Sequence, residues 1–460
     1  MNPLALKQIA EFAGGTLSRG HDRVAHSVST DSRTIEPGAL FIALHGENFD
    51  GHHYVGTAAR AGAVAAMVES GFKAGPDIAE LPLIEVENTL LGFQRLAAAY
   101  RRSLSLHVVG ITGSNGKTST KDFVAAVLSR GFRVLKTEGN FNNHVGVPRM
   151  LLRATSADQI AVLEMGMNHP GEIAPLAKMI APEVGIITNI GSAHIEFMGS
   201  SAAIAQEKGE LVAVVPRGGL VVLAADDEFT PQIATRSAAP VQRVGLGHGD
   251  VRAENVIEDM GGSRFEVVTA DGERAAASLP IPGRHMVQNS LFAFAAGRHF
   301  GLSLAVCAAA LGDVSVTKSR LQRREIAGLQ FLDDTYNANP ESMIAALETL
   351  ARIPVRGRRF AVLGRMGELG AEAPAGHRRV GDAAARLGID HLVCVGAEAR
   401  WIAEGAQAKG YERYTMVDDI AAAARRLREL AREGDLTLVK GSRSAAMESL
   451  FEQFAPAAST

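Results

Sequence analysis

Two cysteines, one tryptophan and five tyrosines are few for a chain of 460 residues, and each scarcity excludes something. Cys307 and Cys394 sit apart in apolar settings, LAVCAAA and HLVCVG, and read as small core residues rather than a disulfide or part of a zinc site. The formal net charge is only -3 and no Lys/Arg tract occurs, so neither nucleic acid nor an anionic membrane surface is an expected partner. No apolar segment is long enough to cross a bilayer. The N-terminal MNPLALKQIAEF is interrupted by Lys7 and Glu11 and lacks a signal peptide's layout, so a cytoplasmic protein is expected.

What is present is a large core. The chain is 47% hydrophobic and 21% charged, long enough for about three domains. Residues 1–84 mix short strands, turns and small helices. From 85 to 317, buried-strand runs (LHVVGITG, QIAVLEMGM, EVGIITNIG, GGLVVLAADD) alternate with helical pattern, as in a parallel sheet covered on both faces. Residues 250–280 shift to short alternating segments, read as an antiparallel patch on that sheet. A second α/β series runs from 318 to 460 through GLQFLDDTYN, RRFAVLGRMG, DHLVCVG and DLTLVKGS. The fold class is α/β in three domains: a small α/β N-terminal domain, a central P-loop-type domain on a mostly parallel sheet, and a Rossmann-like C-terminal domain.

GITGSNGKTS (110–119) joins a strand to a helix and carries Gly-Lys-Thr, yet its glycines do not follow the general P-loop spacing; Ile111 stands where that pattern has glycine. A glycine-rich turn in this place turns backbone N–H groups and the positive helix end toward an anion. Lys117 would reach the β- and γ-phosphates of a nucleotide and the Thr118 hydroxyl would bind Mg²⁺. The off-register spacing T-G-S-N-G-K-T-S resembles the ATP loop of the Mur ligase family, ATP-dependent amide ligases that include the folylpolyglutamate synthetases. Further stretches resemble that family in the same order: EGNFNNHVGVP (138–148), LEMGMNHPGEI (163–173), TNIGSAHIEFMGS (188–200) and PGRHMVQNSLFAFAA (282–296). LDDTYNANPESM (332–343), VLGRMGELGAEAPAGH (362–377) and LVKGSRSAAME (438–448) resemble the branch that adds D-alanyl-D-alanine, as do STDSR (29–33) and HGENFDGHHY (45–54).

The resemblance implies roles. ATP would be held by Gly113, Ser114, Asn115, Gly116, Lys117, Thr118 and Ser119, with Asn289 approaching the nucleotide, Arg320 at a phosphate and Asp334 at the ribose. Two Mg²⁺ ions would be held by Thr118, Glu164 and His194. Lys117, Glu164, His194 and Lys208 form the catalytic set, with Lys208 converted by CO₂ to a carbamate that supplies anionic oxygen, the donor Mg²⁺ prefers. Ser29, Asp31, Ser32, Arg33, Gly46, Asp50 and Gly51 would bind a uridine-diphosphate sugar, with Gly46 and Gly51 allowing close backbone approach. Asn140, Asn142 and Asn143 would lie near the reacting groups, and Tyr336, Asn337, Asn339, Lys440, Ser442 and Arg443 near the peptide substrates.

The implied reaction joins D-alanyl-D-alanine to a UDP-muramoyl-tripeptide in a monomer whose third domain closes over the site on hinges near 84–90 and 315–320. Two departures stand out. Arg365 replaces the branch's aspartate, and Ser319 replaces the glycine before the phosphate-contacting arginine, Arg320. Among rivals, a sibling ligase adding the third amino acid would carry D-N-P-R, which is absent here. Folylpolyglutamate synthetase would not need the 29–54 region as a nucleotide-sugar site. A regulatory P-loop ATPase would need no amino-acid acceptor, and neither switch loops nor N-K-x-D are found.

Overall fold

A computed structural model describes residues 1–46, 49–315 and 317–454. Val316, within the expected second hinge, and the last six residues of the expected C-terminal domain lie outside the described residues. Three sheets organise the chain. The N-terminal sheet has five strands in the order Thr16–Leu17, Leu83–Val86, Ala65–Glu69, Ala39–Ile42 and Ser27–Ser29, parallel except for the first pair. Because Leu83–Val86 is paired within it, this unit runs past the expected end at residue 84.

The central sheet has nine strands. Its order is Val134–Lys136, Ile160–Glu164, His107–Thr112, Val184–Ile187, Leu220–Ala224, Val241–Leu246, Val251–Asp259, Gly262–Thr269 and Arg274–Leu279. It is parallel as far as Val251–Asp259 and antiparallel beyond, where the sequence changes to alternating segments. The parallel strands are buried on both faces, which is why they read as continuous Val/Ile/Leu runs. The third sheet runs Gln322–Ile326, Leu329–Asp334, Leu436–Lys440, Arg359–Leu363, His391–Val395 and Tyr414–Val417, parallel apart from its antiparallel first pair.

The units share cores. The helix Thr89–Ser103, N-capped by Asn88, carries Phe93, Leu96 and Tyr100 into a cluster that also holds Leu40 and Met67 of the N-terminal sheet and Leu163 of the central one. On the other face, Phe123, Phe292 and Phe294 belong to a cluster that continues to Leu332 and Met343 of the third domain. Cys307 and Cys394 are fully buried free thiols, and burial pushes them up to about 11 and about 12. Among the described residues no helix is long and apolar enough to cross a membrane.

Candidate active site

Open α/β sheets bind ligands beyond the carboxyl ends of their strands. Here the central and third sheets point those ends at one cleft of about 860 Å³. Between Thr112 and the helix Lys117–Leu128, the loop turns through Gly113 (φ +151°) and Gly116 (φ +78°). A side chain at Gly113 would strike the Thr188 hydroxyl at 1.8 Å, and one at Gly116 the Asn289 amide at 2.5 Å. The off-register glycines are therefore required by the loop's own packing, and Asn289 lies against it. Asn189 braces the loop from the next strand, its side chain accepting from the Asn115 N–H at 2.8 Å. Lys117 folds over the turn, donating to the Gly113 carbonyl at 2.7 Å; its enclosure lowers the ammonium's pKa, with nearby Glu164 acting in the opposite direction.

Thr118 and Glu164 meet at the base of the loop. The Thr118 hydroxyl donates to Glu164 Oε2 at 3.0 Å, and Asn142 donates to Oε1 at 2.9 Å. Arg320 reaches across from the third domain to Thr118 Oγ1 at 3.0 Å, its guanidinium stacked 4.4 Å over Tyr336 and its Nε without a hydrogen-bond partner. Ser319 and Leu321, on either side, both have left-handed φ, +60° and +50°. A glycine at 319 would adopt that conformation without strain, which gives the departure at this position a backbone cost. Arg365, the other departure, pairs with Glu398 at 2.9 Å and donates to Ser444 at 2.8 Å, so no carboxylate is available from it.

His194 opens a short helix with φ +63°. Its Nδ1 lies 2.6 Å from Glu368 Oε2, at an angle that makes no hydrogen bond. Among the described residues no three His, Cys, Asp or Glu side chains cluster as a metal cage. The donors nonetheless suit Mg²⁺, which takes one or two protein oxygens and completes its shell with water and phosphate.

Ser114, Asn115, Gly116, Lys117, Thr118, Ser119, Asn140, Asn142, Asn143, Glu164, His194, Asn289, Arg320, Asp334, Tyr336, Asn337, Asn339, Lys440, Ser442 and Arg443 all line the cleft. Several have other commitments. Asn143 accepts from the Val145 and Gly146 amides, and Asn339 caps the helix Pro340–Arg352 while donating to Asn115 at 2.7 Å. Lys440 is ion-paired with Asp334 at 2.6 Å and donates to the Asn337 carbonyl, so it fixes that turn rather than reaching outward. Arg443 pairs with Glu448.

Lys208 does not line the cleft. It is buried behind the loop with no hydrogen-bond or ion-pair partner among the described residues; burial and then the Lys117 charge hold its pKa well below the ordinary lysine value. The flanking carboxylates face elsewhere: Glu207 accepts from the Gly171 and Ile173 amides, and Glu210 pairs with Arg236.

The N-terminal set also lies outside the cleft. Ser29 Oγ closes a turn onto the Asp31 carbonyl at 2.9 Å, and Arg33 forms a two-pronged pair with Asp31 at 2.8 and 2.9 Å. Arg33 holds the half-buried Asp31 carboxyl down at about 2. Asp50 accepts from the His52 amide and ring. A side chain at Gly51 would meet the Leu44 carbonyl at 2.6 Å, and one at Gly46 the Phe49 ring at 2.6 Å, so the room these glycines provide is used by the chain itself.

Sequence reasoning passed over Glu341, Glu368 and His285. Glu341 accepts from Ser192 Oγ at 2.8 and 3.0 Å, bridging the third and central domains. The enclosed His285 is lowered to about 4 by burial, partly countered by Asp334. The available signals were slight: an acid after the helix-opening Pro340, the Glu of GELG, and the His of the quoted GRH.

Known proteins resemble nearly the whole chain. Residues 24–101, 111–297 and 319–443 match, in turn, the Mur ligase family catalytic domain, the Mur ligase middle domain and the Mur ligase glutamate ligase domain. The UDP-N-acetylmuramoyl-tripeptide–D-alanyl-D-alanine ligase of Bacillus subtilis (strain 168) is 37% identical over 454 residues, covering 97% of each chain. The structure of MurF from Acinetobacter baumannii superimposes with a TM-score of 0.91 at 32% identity, covering 98% of each chain. That of MurF from Thermotoga maritima in complex with ADP gives 0.83 at 28% identity, over 93% of this chain and 96% of that one. The chain belongs to the Mur ligase family.

Proposed function

We propose that this chain joins D-alanyl-D-alanine to a UDP-N-acetylmuramoyl-tripeptide at the expense of ATP, in the cytoplasmic assembly of peptidoglycan precursors. The observation that carries the reading is the facing of two parts: a phosphate loop backed by Glu164 on the central sheet, and the Asp334–Asn339 turn on the third. Similarity along 97% of the chain to a ligase of that name supports it.

The tripeptide's terminal carboxylate attacks the γ-phosphate, giving an acyl phosphate and ADP; the dipeptide amine then attacks the acyl carbon and inorganic phosphate leaves. Two anions meet in the first step, so the roles follow charge. Lys117 and Arg320 neutralise the phosphates, and the loop amides of residues 113–119 bind them. Thr118 and Glu164 would hold one Mg²⁺ and His194 a second, supplying further positive charge at the phosphates when bound. Lys208 is suited to carbamate formation because burial favours the neutral form of its amine: nitrogen adds to CO₂ and releases a proton. Asn140, Asn142, Tyr336, Asn337, Ser442 and Arg443 contact the peptide substrates, while Asn143, Asn339 and Lys440 hold the walls. Ser29, Asp31, Ser32, Arg33, Gly46, Asp50 and Gly51 form the uridine-diphosphate end, which the long substrate reaches outside the cleft. We take the working unit as a monomer of three domains, bounded near Val86 and residue 318.

Phosphate release measured with ATP, Mg²⁺ and UDP-muramoyl-tripeptide should depend on added D-alanyl-D-alanine. Release indifferent to the dipeptide would remove this reading.

A further inference from the structure

Among the described residues five carboxylates line the cleft, and four have fixed partners. Glu164 receives Thr118 and Asn142, and Glu172 accepts from the Asn168 amide. Asp334 is paired with Lys440, and Glu341 receives Ser192. The fifth, Glu368, has one partner, the His194 ring 2.6 Å away, and no aligned side-chain hydrogen bond with it. It stands on the loop after strand Arg359–Leu363, its side chain 49% exposed, and its only close charged contact is the misaligned one with His194. Its backbone is held at φ +59°, a conformation uncommon for a residue with a side chain and one that collects at functional sites.

The opposite wall explains what such a group is for. Lys117 and Arg320 make the nucleotide side of the cleft cationic, so a carboxylate facing them repels phosphate rather than binding it. The nucleophile of the second step is different: a dipeptide in water carries an ammonium at its amino end. It must enter between the acyl phosphate on the central domain and the wall provided by the third. We propose that Glu368 is the anchor for the amino end of the acceptor dipeptide: it pairs with the ammonium on entry and, once one proton has passed to solvent, accepts an N–H from the free amine so that the nitrogen lone pair faces the acyl carbon. This rests on the ligase reading above and names one residue that selects a charged amine as acceptor.

The test compares the full-length enzyme with Glu368→Gln and Glu368→Asp, using ATP, Mg²⁺, UDP-muramoyl-tripeptide and D-alanyl-D-alanine. Losing one charge-assisted hydrogen bond should raise the KM for the dipeptide about tenfold or more in Glu368→Gln. The KM for ATP and the half-saturating Mg²⁺ concentration should stay within about twofold, and Glu368→Asp should recover part of the loss. A binding readout separates anchoring from a structural role. Calorimetry with ADP and tripeptide present should find D-alanyl-D-alanine preferred over its N-acetylated form by the wild type, and the preference lost in Glu368→Gln. An unchanged dipeptide KM, or an altered Mg²⁺ requirement with the preference intact, overturns the proposal. If Glu368→Gln does not fold, the decision passes to Glu368→Asp, where a shortened carboxylate that leaves both KM and preference unaltered overturns it equally. Wild-type phosphate release without dipeptide would instead remove the ligase reading itself.

Discussion

At the scale of single residues, Lys208 carries the sharpest expectation. A lysine amine sealed in the protein without a counter-ion is costly as a cation, and the second positive charge at Lys117 makes it costlier. Burial therefore favours its neutral amine, the form that can add CO₂. Were Lys208 merely a core residue, an apolar side chain would serve better in its place. Lys208→Ala should lose on the order of a hundredfold in ligation rate, as removal of groups supporting a metal site does. Acetate or formate added to the assay should restore part of that rate by returning a carboxylate to the vacated space. Wild-type activity without any added acid would make the residue a bystander. His285 makes a useful contrast: burial lowers it too, to about 4, but it lines the cleft near Asp334 and Lys440.

At the scale of elements, the helix Lys117–Leu128 does more than present the phosphate loop. One and a half turns beyond Lys117, the Asp122 carboxylate is 2% exposed and accepts from Lys136 at 2.8 Å and from the Thr317 amide and hydroxyl at 2.9 and 2.7 Å. Burial alone would raise its pKa; Lys121, Lys136 and Thr317 outweigh that and keep it charged. Thr317 lies in the expected hinge, so the nucleotide-binding helix grips the linker to the third domain. A double-mutant cycle on Asp122→Asn and Thr317→Val, followed by urea unfolding, should return a coupling of about 0.5–3 kcal/mol; additive effects would mean the two act independently. This grip was not legible in the sequence, because its partners are 195 residues apart and neither belongs to a recognisable pattern. What was legible is local: the strand–loop–helix around Gly113, Glu164 at a strand end, and Asn339–Pro340 opening a helix. The asparagines show the limit of such reading. Asn143 and Asn339 stood out as polar groups near a substrate, yet a cap and a substrate contact demand the same donors and acceptors, and only packing separates them.

At the scale of the whole molecule, the third domain shares an apolar cluster with the central one and adds separate polar contacts to it: Arg320 to Thr118, Asn339 to Asn115 and Glu341 to Ser192. Each is a partly buried hydrogen bond worth about 0.5–1.5 kcal/mol net, so together they add only a few kcal/mol to the apolar contact. An acyl phosphate needs closure, since water in an open cleft would hydrolyse it before the amine arrived. Two of these contacts, Arg320 to Thr118 and Asn339 to Asn115, join residues at the nucleotide loop, so a bound nucleotide must compete with them, and the free and occupied enzyme should differ in how firmly the domains are seated. Glu341→Ala removes one contact without touching the phosphate loop. Losing about 1 kcal/mol should shift the ratio of open to closed forms about fivefold, seen in small-angle scattering as a larger radius of gyration for the ligand-free variant than for the ligand-free wild type. An ATP analogue with Mg²⁺ and UDP-muramoyl-tripeptide should draw both back to one compact profile. Identical profiles for variant and wild type, with and without ligands, would mean that the domains are fixed and that water is excluded by something other than their movement.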